Sequence, residues 1–129
     1  MGYMPLSIYI AAGGALGALG RYGLGHLVTM MAGHGFPYGT LCANILGSLI
    51  MGILISSFAL FWDVPQQYKA FMTIGFLGAF TTFSTFSLDT VTLIERGALM
   101  SAFVYVLLSV LVSIGALFCG MWFVRTVYS

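Results

Sequence analysis

The chain has 129 residues, of which 60% are hydrophobic and only 5% are charged, and its formal net charge is +1. Soluble domains carry about a quarter charged residues, so four basic and three acidic side chains cannot cover a water-exposed surface. This composition excludes an ordinary soluble enzyme, a nucleic-acid binder that neutralises phosphates and a disordered tail. Because one spanning helix takes about 20 apolar residues, the sequence predicts an all-α membrane protein whose residues 1–129 form a single four-span domain.

The four predicted spans cover approximately residues 6–30, 38–61, 68–94 and 98–124. The first is rich in small residues, including Gly13 and Gly17, which allow helices to approach closely in lipid. A loop follows this span, because two glycines and a proline interrupt residues 32–37. We therefore expect the first span to pack closely against another helix.

The third predicted span differs from the others in its polarity. Five of the seven residues from Thr81 to Ser87 carry hydroxyls, and Gly75 and Gly78 precede them. Each glycine weakens a helix by roughly 1 kcal/mol, so we expect a broken helix with the break near Gly78 to Thr82. Irregular backbone at membrane depth survives only where protein or a water-filled cavity satisfies it, and such breaks often mark ion sites.

The basic residues do not favour one orientation of the chain in the membrane. With four spans, Lys69 and Arg125 lie on one side and Arg21 and Arg96 lie toward the other. Orientation follows the excess of Lys and Arg in short cytoplasmic loops, and here there is no excess. One interpretation is an antiparallel homodimer with one subunit inverted. The alternative is a fixed topology in which one predicted span or the depth of one arginine is wrong.

Neutral polar side chains inside the spans are candidates for a site. Asn44 lies in the early turns of the second span, where an unpaired amide costs several kcal/mol. It therefore needs either a hydrogen-bond partner on another helix or a permeating ligand. Tyr105, Ser109 and Ser113 recur at i, i+4 and i+8, which places three hydroxyls on one stripe of the fourth span. Serines that cluster by chance in a packing face are the alternative.

The third span also contains an aromatic pair. Phe83 and Phe86 are separated by three residues, so their rings share one helical face. Aromatic rings have a positive edge, and two such edges beside hydroxyl and amide donors form an anion site without a fixed cation. An uncharged site suits a pore, because binding must be weak enough for the ion to leave. The alternative is that both rings only fill space.

Several runs of this sequence resemble the signature of the Fluc (CrcB) family of fluoride channels. These runs are Gly75-Phe76-Leu77-Gly78, Thr81-Thr82-Phe83-Ser84-Thr85-Phe86-Ser87, Gly39-Thr40-Leu41 leading to Asn44, and Gly13-Gly14 through Gly17 to Arg21. They cover nearly the whole chain in order and at family spacing. The third-span run is long and unusual, which makes the resemblance specific.

The resemblance implies a dual-topology homodimer in the cell membrane, with two pores through which fluoride leaves the cell passively. It places Arg21 near an aqueous vestibule. It also implies that a structural sodium ion is held at the dimer interface by backbone carbonyls of Gly78 and Thr81 from both subunits. The implied fluoride-pore residues are Asn44, Phe83, Phe86, Ser84, Thr85, Thr40, Tyr105, Ser109 and Ser113.

Three other functions fit the sequence less well. A proton-coupled small multidrug transporter, which can also have dual topology, needs a membrane-embedded carboxylate, and the first span contains no Asp or Glu. An accessory membrane subunit would leave Asn44 and the hydroxyl-rich run unexplained. An enzyme would need a nucleophile–base pair, and none is found, so we expect no catalysis. The expected partners are fluoride, a second copy of the chain and the lipid bilayer, and no nucleic acid.

Overall fold

The structure is a computed structural model that describes residues 5–128, so residues 1–4 and 129 of the predicted domain lie outside the described residues. Every regular element in the described range is helical, which confirms the predicted all-α class. In chain order the elements are α1 (Leu6–Ala32), α2 (Tyr38–Leu60), α3 (Gln66–Ala70), a π-helix (Phe71–Leu77), α4 (Gly78–Phe80), α5 (Ser84–Glu95) and α6 (Leu99–Tyr128).

Three helical segments are long and apolar enough to cross a membrane, namely Tyr38–Leu60, Gln66–Glu95 and Leu99–Tyr128. Large apolar side chains such as Phe118 and Trp122 are exposed along α6. Contiguous apolar surface of this kind marks contact with a membrane or a partner, and the protein is a multi-pass membrane protein. Helix α1 has 27 residues but does not reach the apolarity of the other three segments.

The segment between α2 and α6 is helical on both sides of a short interruption at residues 81–83. Thr81 has extended backbone angles (φ −90°, ψ 157°), and α5 begins at Ser84. The sequence predicted a break near Gly78 to Thr82, whereas Gly78 keeps helical angles (φ −60°, ψ −37°). A glycine costs a helix only about 1 kcal/mol, so the position of Gly78 does not end the helix.

Glycines bring α1 into direct backbone contact with the π-helix. A methyl group on Gly13 would collide with the carbonyl oxygen of Phe71, and one on Gly17 would collide with the carbonyl oxygen of Phe76. Gly75, on the facing surface, is equally restricted. The first helix therefore packs as closely as its small residues predict, and this contact fixes the π-helix beside α1.

A second glycine contact joins α2 to α6. A methyl group on Gly52 would collide with the carbonyl oxygen of Leu117, and one on Gly120 would lie 2.5 Å from the carbonyl oxygen of Leu49. The two helices pack against each other extensively. Because lipid chains are as apolar as the helices, such close packing, rather than hydrophobicity, holds helices together in a membrane.

This contact generates a prediction about stability. We expect Gly52→Ala to destabilise the fold by about 1–3 kcal/mol, because the added methyl group forces α2 away from α6. Gly115→Ala in α6 is the matched control, since no atom lies within 4 Å of a methyl group built there. Thermal unfolding of the purified proteins, followed by circular dichroism, measures both effects. Equal unfolding temperatures for the two variants would contradict the prediction.

Candidate functional site

A cavity of about 440 Å³ lies beside the interruption of the third segment, between α2 and α6. Its lining contains no charged side chain. It brings together these residues of the predicted site: Asn44, Phe83, Phe86, Ser109, Ser113, Gly78 and Thr81. We call this space the central cavity. It also includes Ser48, which the sequence analysis did not single out, although its position four residues after Asn44 places it on the same face of α2.

Asn44 makes two hydrogen bonds to the backbone of the interruption. Its Nδ2 atom donates to the carbonyl oxygen of Thr82 (3.1 Å), and the Thr82 amide donates to its Oδ1 atom (2.8 Å). The side-chain amide thus pairs with both polar backbone groups of a residue that lies outside the helices. In lipid such groups must be satisfied within the protein. Asn44 therefore has the partner that its position demanded, and one N–H of its amide remains uncommitted.

The hydroxyl of Thr82 accepts a hydrogen bond at the N-terminus of α5. The amide of Thr85 donates to Thr82 Oγ1 (3.2 Å), and this oxygen also lies 3.4 Å from Ser84 Oγ. A side-chain oxygen that accepts a hydrogen bond from an amide three residues later is a typical helix N-terminal cap. Neither Ser84 nor Thr85 lines the central cavity. Their contacts therefore belong to the start of α5, and the structure does not place them with the other predicted pore residues.

The two predicted phenylalanine rings lie side by side. The centroids of Phe83 and Phe86 are 5.5 Å apart with an interplanar angle of 51°. Phe86 also packs on Tyr105, at a centroid distance of 5.3 Å. Phe83 is 78% exposed, so the rest of the chain leaves most of this residue uncovered. The ring pair forms one wall of the central cavity and leaves a large aromatic surface open.

On α6, the hydroxyl of Tyr105 is hydrogen-bonded, whereas the hydroxyls of Ser109 and Ser113 are not. Tyr105 is fully buried, and its hydroxyl donates to Asp89 Oδ2 at 3.0 Å. The Oγ atoms of Ser109 and Ser113 are buried but have no hydrogen-bond partner among residues 5–128. Buried polar atoms are nearly always hydrogen-bonded. The two serines thus offer free donors on the wall of the central cavity, whereas Tyr105 lies outside that wall.

A second cavity, of about 550 Å³, opens near the α1–α2 loop, and we call it the vestibule. The predicted residues Arg21 and Thr40 line it, as do Asp89 and Arg96. Arg21 Nε donates to the carbonyl oxygen of Ala79 at 3.1 Å, which ties α1 to the end of α4. Two arginines around one carboxylate give this cavity a positive balance, and such a charge attracts anions.

The interruption leaves two backbone carbonyls without donors. In a continuous helix, the amides of Thr82 and Thr85 would donate to the carbonyls of Gly78 and Thr81. Instead they donate to Asn44 Oδ1 and Thr82 Oγ1. Among the described residues no hydrogen bond reaches either carbonyl. Carbonyl oxygens are suitable ligands for a hard cation, so the donor set fits sodium. Residues 5–128 contain no cluster of three His, Cys, Asp or Glu that could hold a metal.

Comparison with known proteins gives a consistent set of relatives. Residues 8–121 match the family described as CrcB-like protein, Camphor Resistance (CrcB). A protein of Nitrobacter winogradskyi named fluoride-specific ion channel FluC is 48% identical over 118 residues, which cover 92% of this chain and 94% of the relative. Relatives of the same name from Vibrio campbellii and Rhodospirillum centenum are 47% and 44% identical. They cover 93% and 95% of this chain, and 94% and 98% of their own length.

The hydrogen bonds between Asn44 and Thr82 lead to a second prediction. We expect Asn44→Leu to destabilise the protein by about 2 kcal/mol or more, because both backbone groups of Thr82 lose their partner. Cys42→Ser, at an exposed position of the same helix, is the control. The measurement is again the thermal unfolding of purified protein. If Asn44→Leu unfolded at the temperature of the unmodified chain, the hydrogen bonds to Thr82 would have no part in holding the interruption.

Proposed function

The chain belongs to the CrcB family, and from this premise we propose that it is a fluoride-selective channel for passive export of fluoride. Such export lowers the fluoride concentration in the cytoplasm. Channels of this kind are not enzymes, and no catalytic step is involved. The observation that carries the proposal is the central cavity, in which the unpaired hydroxyls of Ser109 and Ser113 face the same space as Phe83 and Phe86.

The chemistry of this cavity suits a small, strongly hydrated anion. Fluoride that enters a narrow pore loses water and needs hydrogen-bond donors in its place. Serine hydroxyls and the free N–H of Asn44 are neutral donors, and the edges of the Phe83 and Phe86 rings are positive. No fixed cation lines the cavity. Binding therefore stays weak enough for the ion to leave, as conduction requires.

The vestibule supplies the approach to this path. Arg21 and Arg96 each use one guanidinium nitrogen to hold a backbone carbonyl, those of Ala79 and Gly35 respectively. Their charges still contribute to the potential of the cavity. Fluoride gathers at the vestibule, passes the region of Thr40, and reaches the rings and the serines. Fluoride itself arises when HF crosses the lipid from acidic surroundings and ionises inside the cell.

Helix α1 makes a fourth membrane crossing in the proposed arrangement. Helix α1 spans about 40 Å at 1.5 Å per residue, and its side chains Leu19, Met30 and Met31 are 67%, 72% and 80% exposed. Lipid is the environment that suits these side chains. With four crossings both termini lie on one side, and the basic residues divide evenly between the two sides. The even division permits insertion in either orientation.

The proposed assembly is an antiparallel homodimer. The aromatic wall of the central cavity, with most of Phe83 exposed, is an incomplete site within one chain. An inverted second copy would cover this wall and place its own ring pair nearby. A two-fold axis in the membrane plane relates two such copies, as it relates the inverted repeats of many transporters.

The carbonyls of Gly78 and Thr81 from both copies would hold one structural sodium ion in this dimer. Their lack of hydrogen-bond donors supports that role. A sodium ion bound there would supply positive potential next to the anion path. The small side chain of Ala79, beside these carbonyls, leaves space for a second chain to approach.

A small multidrug-type transporter remains the alternative, and the relatives do not favour it. Its mechanism needs a carboxylate at membrane depth. Helix α1 contains no Asp or Glu, and the central cavity contains none either. A fluoride-selective electrode distinguishes the two functions directly, because only a channel releases fluoride from vesicles without a proton or drug gradient.

The proposed role of the rings gives a third prediction. In vesicles loaded with fluoride, we expect Phe83→Ile and Phe86→Ile each to lower the initial efflux rate about tenfold or more, because the positive ring edges are lost. The exposed Phe118 lines neither cavity, so Phe118→Ile is the matched control. A fluoride electrode records the efflux. Wild-type rates in both ring variants would remove the rings from the mechanism, and no efflux from the unmodified protein would overturn the proposed function.

A fourth prediction concerns the dependence of dimer stability on sodium. A ligand that binds only the dimer shifts the association equilibrium by mass action. We therefore expect replacement of Na⁺ by a large organic cation to raise the dimer dissociation constant in lipid, measured by single-molecule counting of labelled subunits. Dimers of unchanged strength without Na⁺ would contradict the sodium site. Monomers in both salts would contradict the dimer itself.

A further inference from the structure

Several hydroxyl side chains of this protein make a hydrogen bond within their own segment of the chain. They donate to the carbonyl oxygen four residues earlier, at distances between 2.7 and 3.0 Å. The residues that do so are Ser57, Thr73, Thr81, Ser87, Thr90 and Thr92. Such a bond lets a polar side chain lie in an apolar environment without a partner on another helix. It also makes the hydroxyl proton unavailable to a ligand.

Three serines that line the central cavity do not follow this pattern. Ser109 and Ser113 on α6 have buried Oγ atoms without a partner in the part of the chain that the structure describes. The side-chain hydroxyl of Ser48 on α2 likewise makes no hydrogen bond to any described residue, and Ser48 is half-buried at the cavity wall. The uncommitted hydroxyls of the two helices therefore face one shared space.

Ser48 is a second free donor of α2 on this wall, beside the remaining N–H of Asn44. Asn44, one turn earlier on the same face, uses its Oδ1 atom and one N–H to hold Thr82. This pairing fixes the orientation of the amide and restricts how it can meet an anion. A serine hydroxyl rotates freely and can turn its proton toward a ligand. On the α2 side of the cavity, Ser48 is thus the polar side chain that makes no hydrogen bond to another described residue.

We propose that Ser48 is a further fluoride-binding residue, which donates from α2 to the same anion that Ser109 and Ser113 contact from α6. This inference rests on the proposed function. Donors from two helices surround an anion more completely than a stripe on one helix can. The additional O–H contact benefits fluoride more than chloride, because the smaller ion has the higher charge density and accepts a shorter, stronger hydrogen bond. Ser48 would accordingly contribute to selectivity as well as to rate.

Ser56 provides a matched comparison within the same helix. Its Oγ atom is buried and has no partner among residues 5–128, but it does not line the central cavity. Its hydroxyl therefore resembles that of Ser48 in lacking a hydrogen bond and differs in its access to the proposed anion path. A functional effect at Ser48 without an effect at Ser56 separates anion binding from the general consequences of removing an unpaired serine.

The test measures fluoride efflux from vesicles that contain the full chain. We expect Ser48→Ala and the nearly isosteric Ser48→Cys each to lower the initial rate about tenfold, the effect of losing one hydrogen bond to an anion. Ser48→Thr, which retains the hydroxyl, should restore most of the rate, and Ser56→Ala should match the unmodified protein. The same vesicles with chloride inside report whether discrimination between the two halides falls in Ser48→Ala.

The outcomes separate this inference from the proposed function. Fluoride efflux from the unmodified protein, with unchanged rates and discrimination in Ser48→Ala or Ser48→Cys, would overturn the role of Ser48 and leave the channel intact. An equal loss in Ser56→Ala would also overturn it, since the effect would then not depend on the cavity. No efflux from the unmodified protein would overturn the channel and, with it, the binding role of Ser48.

Discussion

The hydrogen bonds between Asn44 and Thr82 allow a non-helical stretch to exist in the apolar part of this protein. Backbone groups that leave a helix in lipid have no water to bind, and each unpaired group costs several kcal/mol. One side-chain amide satisfies both groups of Thr82. The same pairing diverts the Thr82 amide from the carbonyl of Gly78, and the capping of α5 diverts the Thr85 amide from that of Thr81. The free carbonyls are therefore a consequence of how the interruption is stabilised.

The interruption is held by contacts from two other helices. From α1, Arg21 binds the carbonyl oxygen of Ala79. From α2, Asn44 binds Thr82, and a methyl group on Gly47 would collide with the side chain of Thr81. These helices can approach because glycines occupy the crossing points. Close packing and the hydrogen bonds depend on each other, since an amide reaches a backbone on the next helix only when the two backbones lie close together.

The sequence predicted the all-helical class correctly, because apolar runs and the Gly and Pro residues between them are local signals. It also predicted that Asn44 needs either a hydrogen-bond partner or a permeating ligand, since an amide at membrane depth is costly alone. It could not identify Thr82 as that partner, because the two residues are 38 positions apart and only the packing of α2 brings them together. The resemblance to the family places Ser84 and Thr85 in the pore, and this stays a prediction, while the contacts of these two residues within one chain lie at the start of α5. The sequence predicts a continuous helix at Phe71–Leu77, where the structure has a π-helix.

In the proposed channel, charged side chains line the vestibule and uncharged residues line the central cavity, and this separation suits an anion pathway. The vestibule contains Arg21, Arg96 and Asp89, whereas the central cavity is lined by uncharged residues throughout. A guanidinium in the apolar interior would bind an anion strongly, since the attraction between charges grows as the dielectric constant falls, and a tightly bound ion does not conduct. Near water, solvent weakens the same charge, so it attracts anions without trapping them. Hydroxyls such as that of Ser109 offer the ion a hydrogen bond at depth without a full opposite charge. Recruitment and passage thus need different chemistry, and the two cavities provide it separately.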